Sequence, residues 1–262
     1  MRGTYIGNNK MLVLTVWGGS LLVPSEDLSI VPELLINGSI ELPLTRYMIK
    51  NIKRENIVFD IGANIGYFTV LAGKLVGPGG KVIAFEPNPY LYRFLSDNVS
   101  LNCLHDRVTL NQKAVYSSSA KINFYMALKF MGNSSINCHD REYFKRFEDE
   151  IKEITVEAEP LDIYLKSFDH IDLVKMDIEG GEYQAFLGMK GLMEQKVVKT
   201  VVFELNKMML KDDREPFIQN LKQMETIFNR SFFKLSDEGD LVPISVNDLA
   251  AMDFCADIVL KC

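Results

Sequence analysis

The chain has 262 residues, 47% of them hydrophobic, with a formal net charge of −6 and a pI near 5.3. That is enough apolar material for one substantial core, and one domain is the default expectation. The acidic balance argues against a nucleic-acid backbone as partner, and no stretch reaches the ~18 apolar residues of a membrane span. Cys103, Cys138, Cys255 and Cys262 form no CxxC pair and no zinc spacing, so reduced thiols in a cytoplasmic protein are expected. Nothing in the sequence fixes an oligomeric state.

Residues 1–50 are expected to form an N-terminal cap ahead of a main domain at 51–262. Within the cap, residues 11–16 and 20–23 predict a hairpin around Gly18-Gly19, and residues 44–52 predict a helix. Lys10 followed by an apolar run weakly mimics a signal peptide, but Trp17-Gly18-Gly19 interrupts it. An extension of this kind caps the core or covers the open crevice as a lid. Glu41, flanked by apolar residues, is a candidate to face that crevice and touch substrate.

The stretch 56–87 is the most informative. Ile57 to Phe59 is a short apolar run typical of a strand covered on both faces. It ends at Asp60, and Ile61-Gly62-Ala63-Asn64-Ile65-Gly66 follows. Two glycines and an alanine permit a tight turn and close backbone approach to a ligand. A helical pattern runs through Phe68, Leu71, Ala72 and Leu75 until Gly77-Pro78-Gly79-Gly80 stops it. The next apolar strand ends in Glu86-Pro87. This is one βαβ unit with a ligand turn at its first corner and an acid at the tip of its second strand, placed to accept hydrogen bonds from a ribose diol. The spacing is Asp-x-Gly-x-Asn-x-Gly rather than Gly-x-Gly-x-x-Gly. The anionic Asp60 would repel a pyrophosphate and tolerate a cationic ligand.

Residues 89–101 predict a helix, 107–110 with Ala114-Val115 a third strand near the nucleoside base, and 121–128 an antiparallel ribbon. Gly132-Asn133-Ser134-Ser135 is a polar loop after the ribbon. Residues 141–152, dense in charge, predict an amphipathic surface helix. Residues 171–176 predict a buried strand ending in Asp177-Ile178-Glu179-Gly180-Gly181-Glu182, with three carboxylates where open α/β sheets bind ligands. A fifth strand at 199–205 carries Glu204 at its tip. A helix at 217–228, a strand at 231–235, a tight turn at 237–240 and a last strand at 257–261 complete the chain. Alternating strands and helices predict a doubly wound, Rossmann-like α/β fold with seven strands, mostly parallel, and one antiparallel edge strand.

Three motifs, Phe59-Asp-Ile-Gly-Ala-Asn-Ile-Gly-Tyr67, Ala84-Phe-Glu-Pro-Asn-Pro89 and Lys175-Met-Asp-Ile-Glu-Gly-Gly-Glu182, resemble those of the FkbM family of S-adenosylmethionine-dependent methyltransferases, of the class I type. Weaker echoes run in family order across residues 30–210; Gly181 stands where an alanine is common. The resemblance implies S-adenosylmethionine as cofactor, held by Asp60, Gly62, Ala63, Asn64, Gly66, Tyr67, Glu86, Pro87, Ala114 and Asp177. It also implies methylation of a hydroxyl on a sugar, glycan or secondary metabolite, with Glu41, Asn133, Ser134, Glu179 and Glu204 as candidate acceptor contacts. A neutral alcohol must lose its proton, so a base is useful. Asp177 is the first candidate and His139 the second. The sequence holds no metal-binding motif, yet a divalent ion on Asp177, Glu179 or Glu204 is another way to activate the hydroxyl. Two other classes stay open: a nicotinamide oxidoreductase with a variant glycine loop, and a catalytically silent nucleoside-binding module.

Overall fold

A computed structural model describes residues 2–262. Strands β1 (Gly3–Gly7), β2 (Lys10–Leu14) and β3 (Ser20–Pro24) form a small antiparallel sheet. The expected hairpin is its β2–β3 arm; β1 joins it through the Asn8-Asn9 turn, where both residues take positive φ. Helices α1 (Val31–Asn37) and α2 (Leu42–Asn51) then lead into β4 (Ile57–Ile61). From there the chain alternates: α3 (Tyr67–Val76), β5 (Lys81–Phe85), α4 (Pro89–Leu101) and β6 (Val108–Asn111). Asn88 caps α4 by accepting from the N–H groups of Tyr90 and Leu91, and Pro89 supplies a preset φ at the first turn.

A three-stranded flap interrupts the alternation. Its strands are β7 (Ala114–Val115), β8 (Ala120–Ala127) and β9 (Ile151–Glu159), with helix α5 (Arg141–Arg146) in the connection between β8 and β9. The predicted ribbon is β8; the charged stretch at 141–152 is helical only as far as Arg146 and has become strand by Ile151. The main sheet resumes with β10 (Leu173–Met176), α6 (Glu182–Gly188), α7 (Lys190–Glu194), β11 (Thr200–Asn206), α8 (Lys207–Leu210) and α9 (Arg214–Thr226). It closes with β12 (Ser231–Leu235), β13 (Leu241–Pro243), α10 (Val246–Ala251) and β14 (Phe254–Lys261).

The main sheet has eight strands in the order β13-β12-β14-β11-β10-β4-β5-β6. Strands β6, β5, β4, β10 and β11 run parallel, and the remaining three pair antiparallel. The doubly wound α/β architecture is as expected; the count of seven is one short. The extra strand is β13, the short arm after the Asp237–Asp240 turn, and the antiparallel part is three strands wide rather than one.

Side chains alternate across the sheet into two cores. Val58, Val82, Ala84, Val202 and Val259 face one layer with α2, α3 and α4. Phe59, Ile61, Phe85, Val174, Met176 and Phe203 face the other with α6, α9 and α10. Covering both faces is why the strands read as unbroken apolar runs. Strand order reverses between β4 and β10, and the crevice beyond their carboxyl ends is where such sheets take ligands.

Candidate functional site

A cavity of about 290 Å³ opens at that reversal. The turn after β4 forms its floor. Gly62 sits at φ +74, and a Cβ there would lie 1.9 Å from the Asp177 carbonyl oxygen, so only glycine lets the two strand tips meet. Gly66, at φ +89, does not line the cavity; a Cβ on it would strike Leu95 of α4 at 2.6 Å, so it serves close helix packing.

Asp60 also lies outside the cavity lining. It is 1% exposed, accepts from the Thr69 hydroxyl at 2.5 Å and faces Lys175 Nζ at 3.5 Å. Its charge stands behind the turn. Glu86 does line the cavity, with Pro87, Ala63, Asn64, Tyr67 and Ala114 beside it. Its two oxygens accept from the Asn64 N–H at 2.7 Å and the Asn88 N–H at 2.8 Å, which aims the carboxylate and leaves further lone pairs free. Burial pushes its pKa up to about 7, against those two hydrogen bonds and Lys175. The Tyr67 hydroxyl lies 3.1 Å from Thr45 Oγ1.

The opposite wall is acidic. Glu41, Asp177, Glu179, Glu204 and Asp257 all line it. Burial and then the Asp177 charge raise Glu41 and Glu179 well above the usual carboxylate range. Burial, then Glu179 and Asp177, do the same to Glu204. Burial first, then the Asp177 charge, brings Asp257 up to about 7. Oxygens of Asp177, Glu179 and Glu204 lie within 4.8 Å of one another, a span one divalent ion could bridge. Glu204 Oε1 is buried and accepts no hydrogen bond. It sits at a β-bulge, where the register of β11 with β14 shifts between Phe203 and Leu205. Bulges of this kind re-aim side chains beside active sites.

Asn133 and Ser134 line the cavity from the loop after β8. Ser135 donates to the Glu179 carbonyl at 2.6 Å, and Asn137 donates to the Gly180 and Met209 carbonyls. The loop is therefore fastened to the acidic turn. His139 is not in the cavity: its Nε2 lies 2.8 Å from the Asn133 carbonyl and its ring packs on Tyr143. Burial lowers its pKa. It braces the loop that carries Asn133 and Ser134, outside the residues that line the cavity.

Sequence reasoning passed over three residues. Lys175 is 3% exposed, on a strand buried at every position, and only the oddity of a lysine there could have flagged it. Asp257 reaches the cavity at φ +53, in a strand that reads as an ordinary edge. Asp27 is 3% exposed; it accepts from the N–H groups of Ile30, Val31 and Met131 and so ties the N-terminal segment to the loop wall.

Residues 60–234 match the family model described as the methyltransferase FkbM domain. The chain belongs to the FkbM methyltransferase family. This FkbM methyltransferase is also 28% identical over 185 residues to methyltransferase sdnD of Sordaria araneosa, covering 60% of this chain and 69% of that one. Among solved structures it is similar to P. horikoshii TYW2 in complex with MeSAdo, at 14% identity and a TM-score of 0.47, covering 98% of this chain and 72% of that one. A SAM-dependent O-methyltransferase from Thermotoga maritima aligns at 12% identity and a TM-score of 0.42, over 95% and 75% of the two chains. The family match favours neither the nicotinamide enzyme nor the silent binding module. No helix among the described residues is long and apolar enough to cross a membrane.

Proposed function

We propose that this methyltransferase uses S-adenosylmethionine to methylate a hydroxyl on a small-molecule or glycan acceptor, with Asp177 taking the hydroxyl proton. One observation carries the reading: a single cavity joins the glycine turn and Glu86 to Asp177, Glu179 and Glu204 across the strand-order reversal. The donor set fits the cofactor. A ribose diol suits the aimed Glu86 carboxylate, and an anionic lining suits a ligand bearing ammonium and sulfonium charges. Gly62, Ala63, Asn64, Tyr67, Glu86, Pro87 and Ala114 are assigned to hold it. Bound there, S-adenosylmethionine supplies an electrophilic methyl group.

The chain's own residues then account for the rest. Ile61, Phe85, Leu44 and Met131 make apolar walls that exclude water and keep the acceptor aligned. Asp177, at the tip of β10, accepts the proton. Glu41, Asn133, Ser134, Glu179 and Glu204 are assigned to hold the acceptor's other hydroxyls. Six acids line the cavity (Glu41, Glu86, Asp177, Glu179, Glu204 and Asp257) against Lys113 and Lys175, and Lys113 is paired with Glu159. That field supports a neutral acceptor over a phosphorylated one or a nucleic acid. The segment from Ser29 to Leu44, which reaches the cavity, is assigned the role of a lid.

The spacing of Asp177, Glu179 and Glu204 supports a second route, a divalent ion that lowers the hydroxyl's pKa. Incubating the protein with labelled S-adenosylmethionine and a host metabolite extract, then analysing products by mass spectrometry, tests the proposal. Label on a neutral hydroxyl compound is expected; label confined to RNA or to amines would overturn it. Loss of turnover on chelation, with recovery on adding Mg2+ or Mn2+, would assign the activation to the ion.

A further inference from the structure

The proposed proton transfer leaves Lys175 without a role, yet its ammonium is the most completely buried charge bordering the cavity, 3% exposed. Its Nζ donates to the Gly62 carbonyl at 3.1 Å and lies 3.5 Å from Asp60 Oδ1 and 3.7 Å from Asp177 Oδ2. It also sits 5.3 Å from the centre of the Phe68 ring at the start of α3. These partners belong to two pieces of chain. Asp60 and Gly62 belong to β4 and the donor turn; Asp177 follows β10.

A main-chain bond already joins the pieces, from the Asp177 N–H to the Ile61 carbonyl at 3.1 Å. That bond fixes the backbones and leaves the Asp177 side chain free to turn about χ1. Around that side chain are Glu179 and Glu204, with oxygens within 4.8 Å of its own, and Glu41 and Asp257 in the same cavity lining, all of them acids. Among the described residues, the cavity's other lysine, Lys113, is committed to Glu159. A carboxylate among acids is drawn toward the one cation in reach.

We propose, resting on the reading that Asp177 accepts the acceptor's proton, that Lys175 is a positioning residue: one ammonium grips the donor turn at Gly62 and Asp60 and holds the Asp177 carboxylate at a fixed place relative to it. The donor's methyl site and the proton acceptor are thereby set against each other by one side chain. The competing account is that Lys175 only neutralises the buried Asp60.

Lys175→Met alone would leave Asp60 buried without its cation, and removing one partner of such a pair is strongly destabilising. The test is therefore run in the Asp60→Asn background, where the new amide can still accept from Thr69. Four proteins make a cycle: Asp60→Asn with and without Lys175→Met, each with Asp177 or Asp177→Asn. Melting temperature, S-adenosylhomocysteine affinity by calorimetry, and methyl transfer from labelled S-adenosylmethionine to the acceptor fraction labelled by the wild type are read for each. With Asp177 present, Lys175→Met is expected to lower kcat at least about tenfold; in the Asp177→Asn proteins the same change should cost less than about threefold. Equal losses in the two backgrounds, or none, overturn the proposal. So does failure of Asp60→Asn/Lys175→Met to fold where Asp60→Asn folds, because Lys175 would then serve the fold beyond Asp60. An unchanged rate in Asp177→Asn by itself instead overturns Asp177 as the proton acceptor.

Discussion

Glu86 is a carboxylate set in place by the fold, and in the proposed function it also holds the ribose. The Asn64 and Asn88 N–H groups hold its two oxygens, so the side chain is set before any ligand arrives. A hydrogen bond to a charged group contributes about 1.5–3 kcal/mol. Glu86→Ala should therefore weaken S-adenosylhomocysteine binding roughly 10- to 100-fold; an unchanged affinity in calorimetry would remove Glu86 from the ribose site. Its pKa adds a second expectation. Burial holds it near 7, so much of the free protein at pH 6 carries a neutral Glu86. A ligand that prefers the carboxylate must release that proton, so affinity should strengthen as pH rises from 6 to 8, by about tenfold in all. Glu86→Gln should flatten the slope. In the proposed function Asp177 takes the hydroxyl proton, and Asp177→Asn keeps the shape of that side chain while removing this role. Donor affinity and melting temperature should change little while turnover falls about 100-fold or more. Wild-type turnover in this variant would make Asp177 structural.

At the scale of elements, the acidic turn after β10 depends on Gly180. It stands at φ +96, and a Cβ there would lie 2.2 Å from the Met209 carbonyl. Gly180→Ala must shift the turn away from α8, and with it the Ser135 and Asn137 bonds that fasten the loop wall. A loss of roughly 1–3 kcal/mol in stability is expected from strain of this kind. Acceptor KM should rise while donor affinity is kept, because the Glu86 side of the cavity is built separately. Kinetics showing equal losses for donor and acceptor would contradict that division. The same division marks what was legible in the sequence. The run from β4 to α4 could be read because its signals are local: unbroken apolar strands, a glycine turn, a stop at Gly77–Gly80 and a cap at Asn88-Pro89. Strand β9 was missed because its alternation starts inside a charged stretch and its partner β8 lies some 30 residues back. Helix α1 was missed because only Val31 and Leu34 are buried along it. Lys175 and Asp257 escaped notice because their significance lies in the carboxylates that long-range pairing brings around them. His139 is eligible by residue type, and only the chain path shows it bonded to the Asn133 carbonyl and outside the cavity lining.

Over the whole molecule, the arrangement concentrates buried acid in one place, and stability should register it. Glu86, Glu182 and Asp257 are each held near pH 7, chiefly by burial. An acid whose pKa is raised on folding contributes most to stability below its unfolded pKa, and that contribution is lost as pH rises through the folded value. In the free protein, therefore, the window of loss runs from about pH 3.8 for Asp257, and about 4.5 for the two glutamates, to just above 7, and the melting temperature should be lower at pH 8 than at pH 6. In the proposed function S-adenosylmethionine brings positive charge to the cavity that Glu86 and Asp257 line. Its stabilising shift should accordingly grow between pH 6 and pH 8, and by more than the shift from S-adenosylhomocysteine, which lacks the sulfonium charge. For a chain of this size each 1 kcal/mol moves the melting temperature by about 2–4 °C, so differences of that order are measurable by scanning calorimetry at fixed ligand concentration. Raising the salt should shrink the S-adenosylmethionine shift less than it would for an exposed site, because charges sealed in a cavity are weakly screened. Identical shifts for the two ligands at both pH values would show that the acids do not face the bound donor, and the acidic wall would then belong wholly to the acceptor.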